Sequence, residues 1–182
     1  MIIMKILLTG RPGTGKTTII KRVAALSPLP VCGFITEEIR EQGRRSGFSI
    51  SSLPGRQKKE ILAHTDIEGS HRVGKYRVQP EVLDPFLVEL EKKLQESQPG
   101  EQLFLIDEIG KMELAHPGFL PLIKKLLEKQ LIPVIATIMG ASHPDLDQLR
   151  ERPGIRLEEV TTHNREQLPQ ELLKDIRRAI NG

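Results

Sequence analysis

Eight residues near the amino end have the types and spacing to hold a phosphate chain. They read G-R-P-G-T-G-K-T from Gly10 to Thr17 and fit the pattern G-x-x-x-x-G-K-[ST], the Walker A motif. Glycines permit backbone conformations that let several N–H groups converge on one anion, and a helix starting there adds its positive end. We expect Lys16 to reach the β- and γ-phosphates and the Thr17 hydroxyl to ligate Mg²⁺. The alternative is a glycine turn that binds nothing, which the flanking strand and helix argue against.

An acidic pair follows a buried apolar run farther along the chain. Leu103–Ile106 is continuously apolar and ends in Asp107 and Glu108, as in the Walker B motif. Asp107, at the end of this predicted strand, has the chemistry to hold Mg²⁺ directly or through a water. Glu108, one residue beyond, is placed to orient a water for attack on the γ-phosphate, although a solvated loop acid or a helix cap is the alternative. Residues 107–110 also spell D-x-x-G, but no N-K-x-D or T-K-x-D segment follows to read guanine.

Strands and helices alternate around these motifs. Hydrophobic patterning predicts strands over 5–9, 31–36, 103–106, 132–138 and 155–160, and helices over 16–26, 80–98, 119–131 and 168–180. Alternation of this kind predicts an α/β fold with a mostly parallel sheet covered on both faces. Between residues 37 and 78 the pattern changes to short alternating segments, which we interpret as hairpins and loops beside the main sheet. We therefore expect one domain over residues 1–182 with a β-rich insertion at roughly 37–78.

Composition excludes several classes of protein. The 182 residues include one cysteine, Cys32, so an intramolecular disulfide framework and a cysteine zinc cluster are excluded. No apolar run approaches the ~20 residues of a membrane helix, and Met1–Leu8 is too short for a secretory signal, so we expect a cytoplasmic protein without membrane contact. The net charge of +3, with five Phe, one Tyr and no Trp, does not favour nucleic acid over an anionic small molecule and does not exclude it.

The chain resembles the THEP1-type nucleoside-triphosphatases over nearly its whole length. The resemblance rests on the glycine loop, T-E-E and G-R-R-S-G-F between residues 36 and 48, D-E-I-G-K-M-E-L at 107–114, and T-T-H-N-R at 161–165. It implies a RecA-like P-loop fold and Mg²⁺-dependent hydrolysis of ATP, GTP, CTP and UTP to the diphosphate and phosphate. The nucleotide contacts of the family map onto Gly10, Arg11, Pro12, Gly13, Thr14, Gly15, Lys16 and Thr17, and onto Leu103, Phe104, Leu105, Ile106, Asp107, Glu108, Ile109 and Gly110.

Phosphoryl transfer also needs positive charge beyond Lys16 and the metal. The candidates are Arg11, Arg44, Arg45 and Lys111. For any one of them an ordinary solvated cation is the favoured interpretation, and among them we select Arg45 as a built-in arginine finger. The predicted catalytic set is therefore Lys16, Glu108 and Arg45, with Thr17 and Asp107 as Mg²⁺ ligands.

Two other functions fit the same residues. One is a small-molecule or nucleotide kinase with Arg44 and Arg45 on a lid, and the other is a nucleotide-gated, RNA-associated binding module. Asn164 and Arg165 follow the last predicted strand, where they could contact the base or simply cap a helix. Base preference and oligomeric state are not predicted.

Overall fold

A nine-stranded sheet forms the centre of the computed structural model, which describes residues 4–55 and 58–181. The strands are Lys5–Thr9 (β1), Val31–Glu41 (β2), Arg44–Leu53 (β3), Lys59–His64 (β4), His71–Val73 (β5), Tyr76–Val78 (β6), Leu103–Ile109 (β7), Val134–Ile138 (β8) and Arg156–Glu159 (β9). Their spatial order is β5-β6-β4-β3-β2-β7-β8-β1-β9. The run from β2 to β9 is parallel throughout, and β8 lies between β1 and β7. The predicted α/β class is confirmed: the core strands are parallel, as expected, and the antiparallel strands of the insertion make the nine-stranded sheet as a whole mixed.

Helices cover both faces of the sheet because its central strands are apolar on both sides. They are Lys16–Leu26 (α1), Asp84–Glu96 (α2), Phe119–Glu128 (α3), Pro144–Arg150 (α4) and Leu168–Asn181 (α5). Leu103 and Leu105 of β7 pack with α1 and α5, while Phe104 and Ile106 pack with α2, α3 and α4. This alternation is what a period of two residues produces in a strand buried on both faces. None of the helices described is long and apolar enough to cross a membrane.

The β-rich segment extends the main sheet, so the prediction that it lies beside the sheet is wrong. Strand β2 does not stop at Thr36 but continues to Glu41, and β3 returns antiparallel along it after a turn. That turn is formed by Gln42 and Gly43, both at positive φ, a conformation that glycine adopts without steric cost. Strands β4, β6 and β5 then add outward in antiparallel order. Residues 56 and 57 of the predicted insertion lie outside the described part of the chain, as do residues 1–3.

Several predicted boundaries differ from those observed. Strand β7 runs on to Ile109, so Asp107 and Glu108 lie inside it rather than at and beyond its end. The predicted helix over 80–98 begins as a 3-10 turn at Pro80–Leu83 before α2, and the predicted helix over 119–131 ends at Glu128. Helix α4 was not predicted, because seven residues show too little periodicity to distinguish a helix from a loop.

Candidate active site

A cavity of about 940 Å³ opens where the carboxyl ends of the parallel strands meet. Open α/β sheets place their ligands in this position. The lining residues come from the end of β1, the glycine loop and the start of α1, from β2, β3 and β7, from the segment after β8 and from the end of β9. They are Thr9, Gly10, Arg11, Pro12, Gly13, Gly15, Lys16, Thr17, Thr18, Thr36, Glu37, Glu38, Arg45, Phe48, Asp107, Glu108, Met139, Gly140, Ala141 and Glu159. The cavity therefore brings together both predicted motifs and Arg45.

The glycine loop has a backbone that side chains would disturb. Gly10 has a φ of +144°, and a Cβ built on it would come 2.5 Å from the Val160 carbonyl oxygen. Gly15, immediately before α1, has a φ of +104°. Within the loop, the Thr14 hydroxyl donates to the Arg11 carbonyl at 2.9 Å. Gly10 is thus required both by its conformation and by the close approach of the chain after β9.

The amino end of α1 is available to an anion. Its first turn holds no acidic residue, and no side chain caps it. The Lys16 ammonium donates to the carbonyls of Gly10 at 2.9 Å and Arg11 at 3.3 Å. Positive charge from the lysine and from the free N–H groups therefore gathers at one end of the cavity.

Asp107 joins the glycine-loop helix to the acidic strand. Its carboxylate accepts a hydrogen bond from the Thr17 hydroxyl at 2.7 Å and one from the Thr137 hydroxyl at 2.5 Å. Burial raises the pKa of Asp107, while these two hydroxyls and the charges of Lys16 and Lys21 oppose the rise. The order of the strands explains the second contact, since Thr137 lies on β8, which separates β1 from β7.

The pair of Thr17 and Asp107 has the donor chemistry that Mg²⁺ requires. A hydroxyl and a carboxylate are hard oxygen ligands, and Mg²⁺ in phosphate sites takes one or two such groups together with substrate phosphates. Within residues 4–55 and 58–181 no group of three or more His, Cys, Asp or Glu side chains forms a separate metal cage. The residues present therefore fit a magnesium ion that arrives with a nucleotide.

Glu108 faces the same cavity and is only half-buried. Burial raises the pKa of its carboxyl, the neighbouring charge of Asp107 raises it further, and Lys16 opposes both effects. The ladder between β7 and β8 changes register between Ile106 and Ile109, which is where this acidic pair lies. A carboxyl with a raised pKa beside a phosphate pocket has the properties of a general base.

Arg45 is the cation of the β2–β3 hairpin that reaches the cavity. Its guanidinium is paired with Glu38 and lies over the Phe48 ring, 5.5 Å from the ring centroid. Its Nε atom is buried and has no hydrogen-bond partner. Arg11 also lines the cavity, whereas Arg44 and Lys111 are exposed and do not contribute to the lining.

Several residues assigned to nucleotide binding lie behind the site rather than in it. Leu103–Ile106 and Ile109 are buried in the sheet, and neither they, Thr14 nor Gly110 lines the cavity. The Asn164 side chain accepts from the Thr161 N–H and donates to the Glu159 carbonyl, both at 2.8 Å, so it stabilises the turn between β9 and α5. Arg165 lies over the start of α1, with its Cδ 3.6 Å from where a Gly15 Cβ would be.

Sequence reasoning gave no role to two residues that the fold brings to this site. Thr137 is the single hydroxyl in an otherwise apolar strand, a signal that could have identified it. Glu113 lies in the D-E-I-G-K-M-E-L segment, and its carboxyl is buried beneath Gly110. Nothing in the local pattern distinguishes Glu113 from a surface acid.

Comparison with known proteins agrees with this geometry. A family model described as NTPase matches residues 5–173. Nucleoside-triphosphatase THEP1 of Natranaerobius thermophilus is 44% identical over 172 residues, covering 94% of this chain and 95% of that protein. The crystal structure of THEP1 from Aquifex aeolicus superimposes with a TM-score of 0.83 at 32% identity, covering 95% of this chain and 99% of that one. The solution structure of a human cancer-related nucleoside triphosphatase superimposes with a TM-score of 0.79 at 32% identity, covering 96% of this chain and 98% of that one.

Proposed function

Because the chain belongs to the NTPase family that includes the THEP1 nucleoside-triphosphatases, we propose that it hydrolyses nucleoside triphosphates at this cavity with Mg²⁺ as cofactor. The observation that carries the proposal is the 2.7 Å contact between Thr17, at the start of α1, and Asp107 on β7. It joins a phosphate loop to a metal-binding carboxylate in one cavity. From the likeness to the THEP1 nucleoside-triphosphatases, we propose ATP, GTP, CTP and UTP all as substrates.

The glycine loop holds the triphosphate. Its N–H groups and those at the start of α1 bind phosphate oxygens, and Lys16 exchanges its contacts with the loop carbonyls for the β- and γ-phosphates. Thr17 and Asp107 would hold the magnesium ion, which would supply positive charge beside the phosphate oxygens. Thr137 keeps the Asp107 carboxylate oriented toward Thr17.

Glu108 acts on the attacking water. Its carboxylate accepts a hydrogen bond from the water and takes up a proton as the water oxygen bonds to the γ-phosphorus. The bond between that phosphorus and the β–γ bridging oxygen breaks, and the products are nucleoside diphosphate and inorganic phosphate. Arg45 leaves Glu38 to place its guanidinium on the γ-phosphate oxygens, where charge must be stabilised in the transition state.

Substitution of Glu108 by glutamine tests this assignment. Glu108→Gln keeps the shape and loses the base, so we expect nucleotide affinity to stay within about threefold and turnover to fall by about 100-fold or more. Calorimetry with a Mg-nucleotide and a phosphate-release assay measure the two quantities. Glu151→Gln, at an exposed acid of the loop after α4, is the matched control. Unchanged turnover in Glu108→Gln would remove Glu108 from the mechanism.

Product analysis separates hydrolysis from transfer to another acceptor. Thr36, Glu38 and Phe48 line the same cavity, and an acceptor molecule bound beside them would make the reaction that of a kinase. Incubation of each of the four triphosphates with and without Mg²⁺, followed by mass spectrometry, identifies the products. Hydrolysis predicts stoichiometric phosphate and diphosphate only when Mg²⁺ is present. Release of phosphate in a chelator would contradict the proposed cofactor.

A further inference from the structure

A buried carboxyl group lies directly behind the proposed base. Glu113 belongs to the 3-10 turn Glu113–Ala115 that follows β7, and only 5% of the residue is exposed. Its Oε2 atom is 3.1 Å from the point where a Cβ on Gly110 would stand, and the Glu108 Cγ is 3.7 Å from the same point. Gly110 therefore separates the two carboxylic side chains without a side chain of its own.

No cation faces the Glu113 carboxyl from the described elements around it. On its own turn, His116 is directed to Asp84 at 2.9 Å, and Lys111 is exposed. Helix α3 packs against the turn through apolar residues, and Glu81, on the neighbouring 3-10 turn, is exposed. The charged groups that act on Glu113 are Glu108 and Asp107, and both are negative.

Burial raises the pKa of Glu113 to about 8, and the charges of Glu108 and Asp107 add to the rise. The N–H groups of Glu113 itself and of Gly110 oppose it. At neutral pH the side chain is therefore a neutral acid whose carbonyl oxygen can accept from these N–H groups. In the charged form it would place a third negative charge beside a pocket for a polyanion.

We propose that Glu113 is a positioning residue for Glu108, which it supports as an uncharged carboxylic acid packed beneath Gly110. The uncharged acid fills the space under the turn and holds the Gly110 backbone, and Gly110 fixes the direction of the Glu108 side chain. Loss of its proton repels both Glu108 and the triphosphate. This inference rests on the proposed role of Glu108 and adds the group that keeps the site competent at neutral pH.

The test compares pH profiles of kcat/KM, which report the free enzyme, for the wild type and Glu113→Gln. For the wild type we expect a fall of about tenfold per pH unit above a break near pH 8. Glutamine cannot ionise, so Glu113→Gln should stay within about threefold of wild type at pH 7 and lose the break. Glu81→Gln, at the exposed acid of the neighbouring turn, should keep the wild-type profile.

Three results would overturn the proposal. One is a basic limb in Glu113→Gln that superimposes on that of the wild type. Another is a folded Glu113→Gln enzyme that is inactive at every pH, since the charged form would then be the working one. The third needs no variant: ¹³C NMR of the wild-type Glu113 carboxyl, assigned through its own amide, should titrate near pH 8, and a midpoint of 4 to 5 contradicts the neutral acid. Activity of Glu108→Gln would instead refute the role of Glu108.

Discussion

Replacement of Thr137 by valine tests how the hydrogen bond from β8 affects the Asp107 carboxylate on β7. The Thr137 hydroxyl is fully buried and donates to Asp107 at 2.5 Å, so Thr137→Val removes one donor while almost conserving the volume of the side chain. A hydrogen bond to a charged group contributes about 1.5–3 kcal/mol. The carboxylate form of Asp107 loses that stabilisation, so its pKa, already raised by burial, rises further.

Loss of this contact has two measurable consequences. The Thr137 hydroxyl orients a carboxylate that we propose as a metal ligand, and removal of such a supporting group costs about 10–100-fold in metal affinity, so we expect the Mg²⁺ concentration for half-maximal hydrolysis at pH 7 to increase about tenfold or more. The acid limb of kcat/KM should also move to higher pH, because the Asp107 carboxylate is protonated more easily. Phosphate release measured across a Mg²⁺ series and a pH series gives both quantities.

Thr137→Ser is the matched control, because it keeps the hydroxyl and loses only the methyl group. It should retain the wild-type Mg²⁺ requirement and acid limb even if the loss of the methyl lowers stability. If the valine variant folds and shows the Mg²⁺ requirement of wild type, the contact from β8 has no influence on the metal site and this reasoning is refuted.

Two further predictions concern the buried lysine at the start of β1 and the glycine loop. Lys5 is buried and donates to the Leu126 and Ile132 carbonyls. Burial lowers its pKa from 10.5 to about 8. Between about pH 8 and 10.5 the unfolded chain therefore binds more protons than the folded chain does. The difference in unfolding free energy between wild type and Lys5→Met should therefore rise with pH in that window, by up to about 1.4 kcal/mol per pH unit. Urea titrations at several pH values measure this difference. A difference that does not change with pH would contradict the prediction. Gly10→Ala would press on a backbone oxygen, so we expect calorimetry to show nucleotide affinity at least about tenfold weaker, whereas Gly13→Ala, with open space around it, should lose less. If the two variants lose the same amount of nucleotide affinity, the loss comes from backbone strain at positive φ alone, and the close contact at Gly10 has no effect.

The parts of the site that sequence could predict are those specified by local chemistry. Glycines, a lysine and a threonine in fixed spacing describe a loop that needs few distant contacts, and the apolar run before Asp107 identifies a buried strand. Thr137 was missed because its role depends on β8 lying between β1 and β7. The order of strands in a sheet cannot be predicted from the hydrophobic pattern within each strand. Glu113 was missed because burial of a carboxyl arises from the packing of the turn that carries it.

The β2–β3 hairpin illustrates the same limit in the fold. Alternation beyond Thr36 indicated strands, but whether these strands join the existing sheet depends on β2 continuing unbroken to Glu41. That continuity is what allows Arg45, on the returning strand, to face the glycine loop from across the cavity. The position of Arg45 is therefore a property of the hairpin's length rather than of the residues next to it.

The place of β8 between β1 and β7 also bears on how this protein is made. A ribosome would release the phosphate loop and Asp107 well before Thr137 emerges, and the two earlier strands are not neighbours in the finished sheet. A nascent chain of the first 110 residues would thus contain every charged group of the metal site but would lack β8, which lies between β1 and β7. The complete site therefore forms only when β8 has paired with both β1 and β7.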